Sequence, residues 1–225
     1  MNKRWEILPI DEKKQILLEK NLHISSSLAE ILTRKNLDEN SAKLFLNPTK
    51  IPYHDPFLLK DMEKACQRLL LALKNKEKIC IYGDYDVDGV SSTALLMTVF
   101  TKLGFNIDYY LPDRHSEGYG LHIESLQKLI PKYDLLITVD CGITALDEVD
   151  YAKDKIDMII TDHHLPREIL PDAFAIINPT QTQCNYPNKN LCGVGVAFKL
   201  CQGLYQSLNK DIHELENYCS FRHYS

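Results

Sequence analysis

The spacing of apolar residues changes period near residue 78. Before that point it is helical. Ser25 to Ser27 can cap a helix carrying Leu28, Ile31 and Leu32, and Asp38 a short one carrying Ala42, Phe45 and Leu46 that Asn47-Pro48 stops. Beyond a loop with Pro52 and Pro56, the positions Met62, Ala65, Leu69, Ala72 and Leu73 predict a helix from about Leu59 to Leu73. From Lys78 onward, short apolar runs alternate with helical segments. Strands are expected over 78–83, 106–111, 134–139, 157–161 and 174–177, and helices over 90–103, 122–130, 144–153 and 195–208. Such alternation predicts an α/β fold, a mostly parallel, doubly wound sheet, with a helical N-terminal lead-in. Residues 1–75 read as that lead-in, 76–208 as the α/β domain and 209–225 as a separate tail.

Composition narrows the class without naming a function. The 225 residues are 44% hydrophobic and 25% charged, the balance of an ordinary globular protein. The start, MNKRWEILPIDEKK, lacks the apolar core of a signal peptide, and no apolar run approaches the ~20 residues that span a bilayer. A cytoplasmic protein without a membrane partner is expected. Seven cysteines with no CxxC pair fit neither a disulfide framework nor a zinc knuckle. The formal net charge of −5 is not the footprint of a protein that grips long nucleic acid by charge alone.

Chemistry concentrates after the first expected strand, in Lys78 to Val90, KICIYGDYDVDGV. Asp84, Asp86 and Asp88 stand at every second position, and carboxylates packed so tightly repel one another unless a cation sits among them. By itself the segment reads as a polar turn. The other strand ends change that reading. Asp113, Arg114 and His115 follow the second strand, Asp140 and Cys141 the third, and Asp162, His163 and His164 the fourth. In an open parallel sheet these carboxyl ends share one edge, where such folds bind ligands. A set of Asp and His donors suits Mn²⁺ or Mg²⁺, with Zn²⁺ less favoured, and a bridging carboxylate can hold two ions. The expected reaction is hydrolysis of a phosphoester or phosphoanhydride. Taken singly, Asp140 reads as a turn cap, Arg114 equally as a solvated charge or a phosphate clamp, and Cys141 as a packing residue. A dinucleotide-binding reading fails because aspartates stand where a GxGxxG loop is required.

The stretches YGDYDVDGVSSTAL, LPDRHSEGYGL, ITVDCGITA, TDHH and INPTQ with CGVGVAFKL, in that order, resemble the DHH phosphoesterases and, within them, the RecJ-type single-strand-specific exonucleases. LTRKNLDENSAKLFLNP is similar to the N-terminal region of that group. The resemblance implies that Asp86, Asp88, Asp140 and His163 ligate metal, Asp140 bridging two ions. It implies that Asp84 is a further ligand or an outer base, and that His164 faces the substrate phosphate as donor or general acid. Asp162 would orient His163, and Arg114 would contact a phosphate. The implied cofactor is Mn²⁺ or Mg²⁺, two ions, and the implied substrate is single-stranded DNA digested from its 5′ end in recombination and repair.

RecJ-type enzymes are about twice this length or more and carry a further acidic motif and additional domains. The match breaks near Tyr218, where the chain ends CSFRHYS. A fragment, weak or inactive alone, is therefore expected, with a separate chain as one possible source of the remainder. Two other readings stay open: a small-substrate phosphoesterase acting on oligoribonucleotides, cyclic dinucleotides or pyrophosphate, and a non-catalytic binding module.

Overall fold

The structure, a computed structural model, describes residues 6, 9–47, 53–114 and 116–218, without side-chain detail for 216–218. It divides into two compact units between Tyr53 and His54.

The first unit is three helices: α1 (Glu12–Leu22), α2 (Ser26–Arg34) and α3 (Glu39–Leu46). Asp11, Ser25 and Asp38 cap them, each side chain accepting from an amide three residues on. Leu18, Ala29, Leu32 and Ala42 form the small core. Sequence periodicity does not single out α1, and the reason is visible: Leu18 is its buried residue, while Ile16 and Leu17 are exposed.

The second unit is a five-stranded sheet with helices on both faces. Its elements are α4 (Met62–Asn75), β1 (Lys78–Tyr82), α5 (Val87–Leu103), β2 (Asn106–Tyr110), α6 (Ile123–Leu129), β3 (Leu135–Val139), α7 (Leu146–Ala152), β4 (Asp157–Thr161), β5 (Ala175–Ile177) and α8 (Gly193–Ser207). All pairings are parallel, in the order β2-β1-β3-β4-β5. Alternation with period two sends Ile79, Ile81, Ile137 and Ile159 to one face, against α4, α5 and α8. It sends Cys80, Tyr82, Leu136 and Ile160 to the other, against α6 and α7. The chain reverses its direction of travel across the sheet between β1 and β3, which opens a crevice at their carboxyl ends.

Some boundaries differ from the sequence expectation. Helix α4 belongs to the sheet unit: Met62, Ala65, Cys66 and Leu69 sit in the same core as β1 and α8. Helix α5 starts at Val87 rather than Val90, because Asp86 is its cap and accepts from the Gly89 amide at 2.9 Å. Of the expected tail, Ile212–Tyr218 is a 3-10 helix, with Leu215 buried in the core of the sheet unit. The stretch CSFRHYS lies outside the described residues. Among the described cysteines all are free thiols, and all but Cys192 are buried. Among the described residues no helix is long and apolar enough to cross a membrane.

Candidate metal centre

The crevice between β1 and β3 gathers the acidic groups. Asp84 leaves β1 and is fully buried. Its two carboxylate oxygens have no well-aligned hydrogen bond, and burial, opposed by the nearby Tyr85 and Asp86 amides, pushes its carboxyl above the usual carboxylate range. Asp140 leaves β3 with φ at 61°, a left-handed conformation that costs on the order of 1 kcal/mol in a non-glycine residue. Such strain is retained where the surroundings enforce it. Its Oδ1 lies 3.2 Å from His163 Nε2 without hydrogen-bond alignment and has no other partner. Burial, then the charges of Asp88 and Asp86, push the Asp140 carboxyl up to about 8.

Two groups of ligand-capable atoms result, each with its atoms within 4.8 Å of one another: Asp84, Asp86 and Asp140, and Asp140, His163 and His164. Asp140 is common to both. The residues fit a divalent cation on chemical grounds, because three buried carboxylate oxygens without a well-aligned hydrogen bond converge with an imidazole in one crevice. Hard cations take several carboxylate oxygens, and a buried unpaired charge is otherwise expensive. Two glycines make the convergence possible. A Cβ on Gly89 would stand 2.7 Å from Asp84, and one on Gly193 would stand 2.4 Å from Asp140 Oδ1.

Two further expected site residues, Asp88 and Asp162, have hydrogen-bond partners of their own. Asp88 stands beside the second group, its Oδ2 3.7 Å from His163 Nε2, and accepts from Gly193 N at 2.6 Å through Oδ2 and from Val194 N at 2.7 Å through Oδ1. The carboxylate is turned toward the start of α8 by those two amides. Asp162 orients the ring of His164, not that of His163. Its Oδ1 accepts from His164 Nδ1 at 2.7 Å and from the amides of His163 and His164, while Oδ2 accepts from Ile143 N at 2.9 Å. Burial works to raise the Asp162 carboxyl, but the His164 ring and the Ile143 and His164 amides outweigh it and hold it low. The same hydrogen bond holds the His164 imidazole above its ordinary value.

Arg114 is exposed on the rim, its guanidinium 5.4 Å from the centre of the Tyr85 ring. His115 lies outside the described residues. Cys141 is buried in the core and packs, as expected.

Two contributors were missed in the sequence. Tyr119 packs edge-on to Tyr85 and to His164; its hydroxyl donates to the Asp140 carbonyl at 3.2 Å and lies 3.2 Å from His164 Nε2. It sits within LPDRHSEGYGL, where the sequence reading singled out Asp113, Arg114 and His115. Asn178, fully buried inside INPTQ, donates Nδ2 to the His164 carbonyl at 2.9 Å and so fixes the histidine loop from behind. A buried polar residue right after a short strand was the available signal.

A parallel sheet with acidic and imidazole groups at the β1/β3 crevice is the architecture of a phosphoesterase-like α/β domain. The family model for the DHH family, N-terminal domain, matches residues 78–219, and the chain belongs to that family. More particularly, the chain is 43% identical over 215 residues to the single-stranded-DNA-specific exonuclease RecJ of Bacillus subtilis. That alignment takes in 94% of this chain but 27% of the relative, so the chain spans little more than a quarter of its length. Among solved structures, exonuclease RecJ bound to manganese is similar with a TM-score of 0.68 and 32% identity, over 76% of this chain and 43% of that one. RecJ of Thermus thermophilus in complex with Mn²⁺ is similar with a TM-score of 0.71 and 25% identity, over 97% of this chain and 31% of that one.

Proposed function

We propose that this domain carries the metal-binding half of a phosphodiesterase site that hydrolyses single-stranded DNA from its 5′ end, a reading supported by its similarity to a single-stranded-DNA-specific exonuclease. The observation that carries the reading is the convergence of Asp84, Asp86, Asp140 and His163, with buried oxygens lacking a well-aligned hydrogen bond. These four, with Asp88 beside His163, would hold two Mn²⁺ or Mg²⁺ ions, with Asp140 common to both. Bound there, such ions lower the pKa of a water and neutralise charge on a phosphoryl oxygen.

The remaining residues act around that chemistry. Asp162 holds His164 Nδ1 and thereby turns Nε2 outward, where its proton can meet a phosphate oxygen or the leaving oxygen. Tyr119, donating to the Asp140 carbonyl, can accept from the same Nε2 and keep the ring aimed between substrate molecules. Arg114 on the rim supplies a planar donor for a terminal phosphate, and the Tyr85 face beneath it keeps it extended. With a net charge of −5 the chain exerts little long-range attraction on a polyanion, so turnover by these residues alone is expected to be slow.

The test is calorimetric titration with Mn²⁺ followed by hydrolysis of 5′-phosphorylated single strands, with dinucleotides and pyrophosphate in parallel. Micromolar Mn²⁺ binding that Asp140→Asn abolishes, with mononucleotides released from the single strand in preference to the small substrates, is the expected outcome. No binding would refute the metal centre, and preference for a small substrate would refute the exonuclease.

A further inference from the structure

We infer that Asp61 is a positioning residue: its carboxylate takes the place of a neighbouring strand on the outer side of β5, and β5 so held fixes the loop that carries His163 and His164. β5 is three residues long and pairs with β4 alone. Ile177 turns its carbonyl inward, to the Asp162 amide at 3.1 Å, so by the alternation of a parallel strand Ile176 turns its own amide and carbonyl outward. Ile176 is 6% exposed, and buried backbone groups need partners. Among the described residues no strand supplies them. Instead, Asp61 Oδ2 accepts from Ile176 N at 3.1 Å, and Gln181 Nε2 donates to Ile176 O at 2.6 Å.

Asp61 stands where the cap of α4 is expected, yet its side chain accepts from no amide of that helix. Its φ of 62° is left-handed, a conformation aspartate tolerates without preferring it, and the carboxylate crosses to a residue 115 positions further along the chain. What β5 holds in turn is the histidine loop. Ile177 O receives the Asp162 amide, and Asn178, the next residue, donates Nδ2 to the His164 carbonyl at 2.9 Å. Asn178 Oδ1 is pinned by Thr180, whose amide and hydroxyl donate to it at 2.8 and 2.7 Å. A displacement of β5 therefore reaches both ends of the Asp162–His164 segment, and misplacing a reacting group by ~1 Å can cost about a hundredfold in rate. The importance of this anchor rests on the reading of His164 as a group that faces phosphate, but the anchor is tested apart from it.

The experiment is residue-resolved amide hydrogen exchange by NMR on the full 225-residue chain in EDTA, with the side-chain amide resonances of Asn178 followed in the same spectra. Wild type is compared with Asp61→Gly, Asp61→Ala, Asp61→Asn and Glu63→Ala, the last removing the acidic residue of the first turn of α4. Slow exchange of the Ile176 amide is expected in wild type. In Asp61→Gly, which suits the left-handed backbone but has no acceptor, that amide exchanges about tenfold faster or more and the Asn178 resonances move, while the middle of α4 stays protected. Asp61→Ala, strained and without an acceptor, does at least as much. Asp61→Asn, whose carboxamide oxygen still accepts and which tolerates the same φ, restores both readouts. Glu63→Ala leaves them unchanged. With Mn²⁺ and a 5′-phosphorylated single strand, Asp61→Gly binds the metal as wild type does but turns over about tenfold more slowly. Fast exchange of Ile176 in wild type or in Asp61→Asn would overturn the anchor, and so would Asn178 resonances that stay in place in Asp61→Gly. Undiminished hydrolysis in Asp61→Gly would overturn the positioning role. A wild type that hydrolyses no single strand would refute the exonuclease reading instead, and the exchange data would still decide what Asp61 holds.

Discussion

The two edges of the sheet use carboxylates in opposite ways. At the amino ends of the strands, Arg68 from α4 is 9% exposed and collects Glu77 Oε2 at 2.7 Å and Asp157 Oδ2 at 2.6 Å. There, Asp134 accepts from the Lys78 amide at 2.8 Å. At the carboxyl ends, Asp84, Asp86 and Asp140 converge, and the buried oxygens of Asp84 and Asp140 have no well-aligned hydrogen bond. One edge carries its own cation and is finished by folding. The other is left electrostatically incomplete. Residue type does not separate a structural carboxylate from a functional one; the presence of an internal counter-charge does.

Removing the internal cation breaks the contrast most directly. Arg68→Met would leave Glu77, 17% exposed, without its cation, while Asp157, 43% exposed, is partly returned to solvent, so the loss should fall between the ~1 kcal/mol of exposed pairs and the ~3 kcal/mol of buried ones. Urea unfolding in EDTA should show a destabilisation of that order. A loss well under ~1 kcal/mol, the range of exposed pairs, would mean that the amino edge is as indifferent to pairing as a solvated surface.

A buried cation elsewhere in the unit sharpens the comparison. Lys199 on α8 is 4% exposed and donates to the His54 carbonyl at 2.9 Å and to Gln202 Oε1 at 2.6 Å. Burial pulls its ammonium from 10.5 down to about 8, with Asp55 opposing weakly. Between these values the unfolded chain holds the proton and the folded chain has shed it. The penalty is therefore full below pH 8 and vanishes as pH rises toward 10.5. Wild-type stability should climb by about 3 kcal/mol over that window relative to Lys199→Met, whose curve lacks this term. Parallel curves for the two proteins would show that Lys199 keeps its charge at no cost.

How much of this was legible in the sequence depends on the range of the interaction. Strands β1, β3 and β4 are apolar runs ending in Gly or Asp, and their tips announced Asp84, Asp140 and His163. What could not be read is pairing across the chain. The bond of Asp88 to the Gly193 and Val194 amides joins segments that no local pattern connects. The choice of Asp162 between His163 and His164 was equally hidden, because it turns on the bend of two consecutive residues rather than on their order. The early start of α5 escaped for a related reason: Gly89 reads as a loop until Asp86 is known to cap it.

The smallest effect is the most diagnostic, because its sign depends on what is in solution. Asp84→Asn removes one charge from the incomplete edge while keeping the size of the side chain. In EDTA this relieves repulsion from Asp86 and the cost of burying an unpaired carboxylate, although the carboxamide stays unpartnered. A gain of about 1 kcal/mol is expected. With saturating Mn²⁺ the wild type gains stability in proportion to its affinity, and the variant, short of one oxygen donor, gains less. Urea midpoints should therefore rank the variant above wild type in EDTA and below it in Mn²⁺. Arg68→Met, acting at the finished edge, should lose the same amount in both buffers. A variant that stays below wild type in EDTA would mean that Asp84 is satisfied within the fold, and that the two edges differ less in charge balance than in exposure.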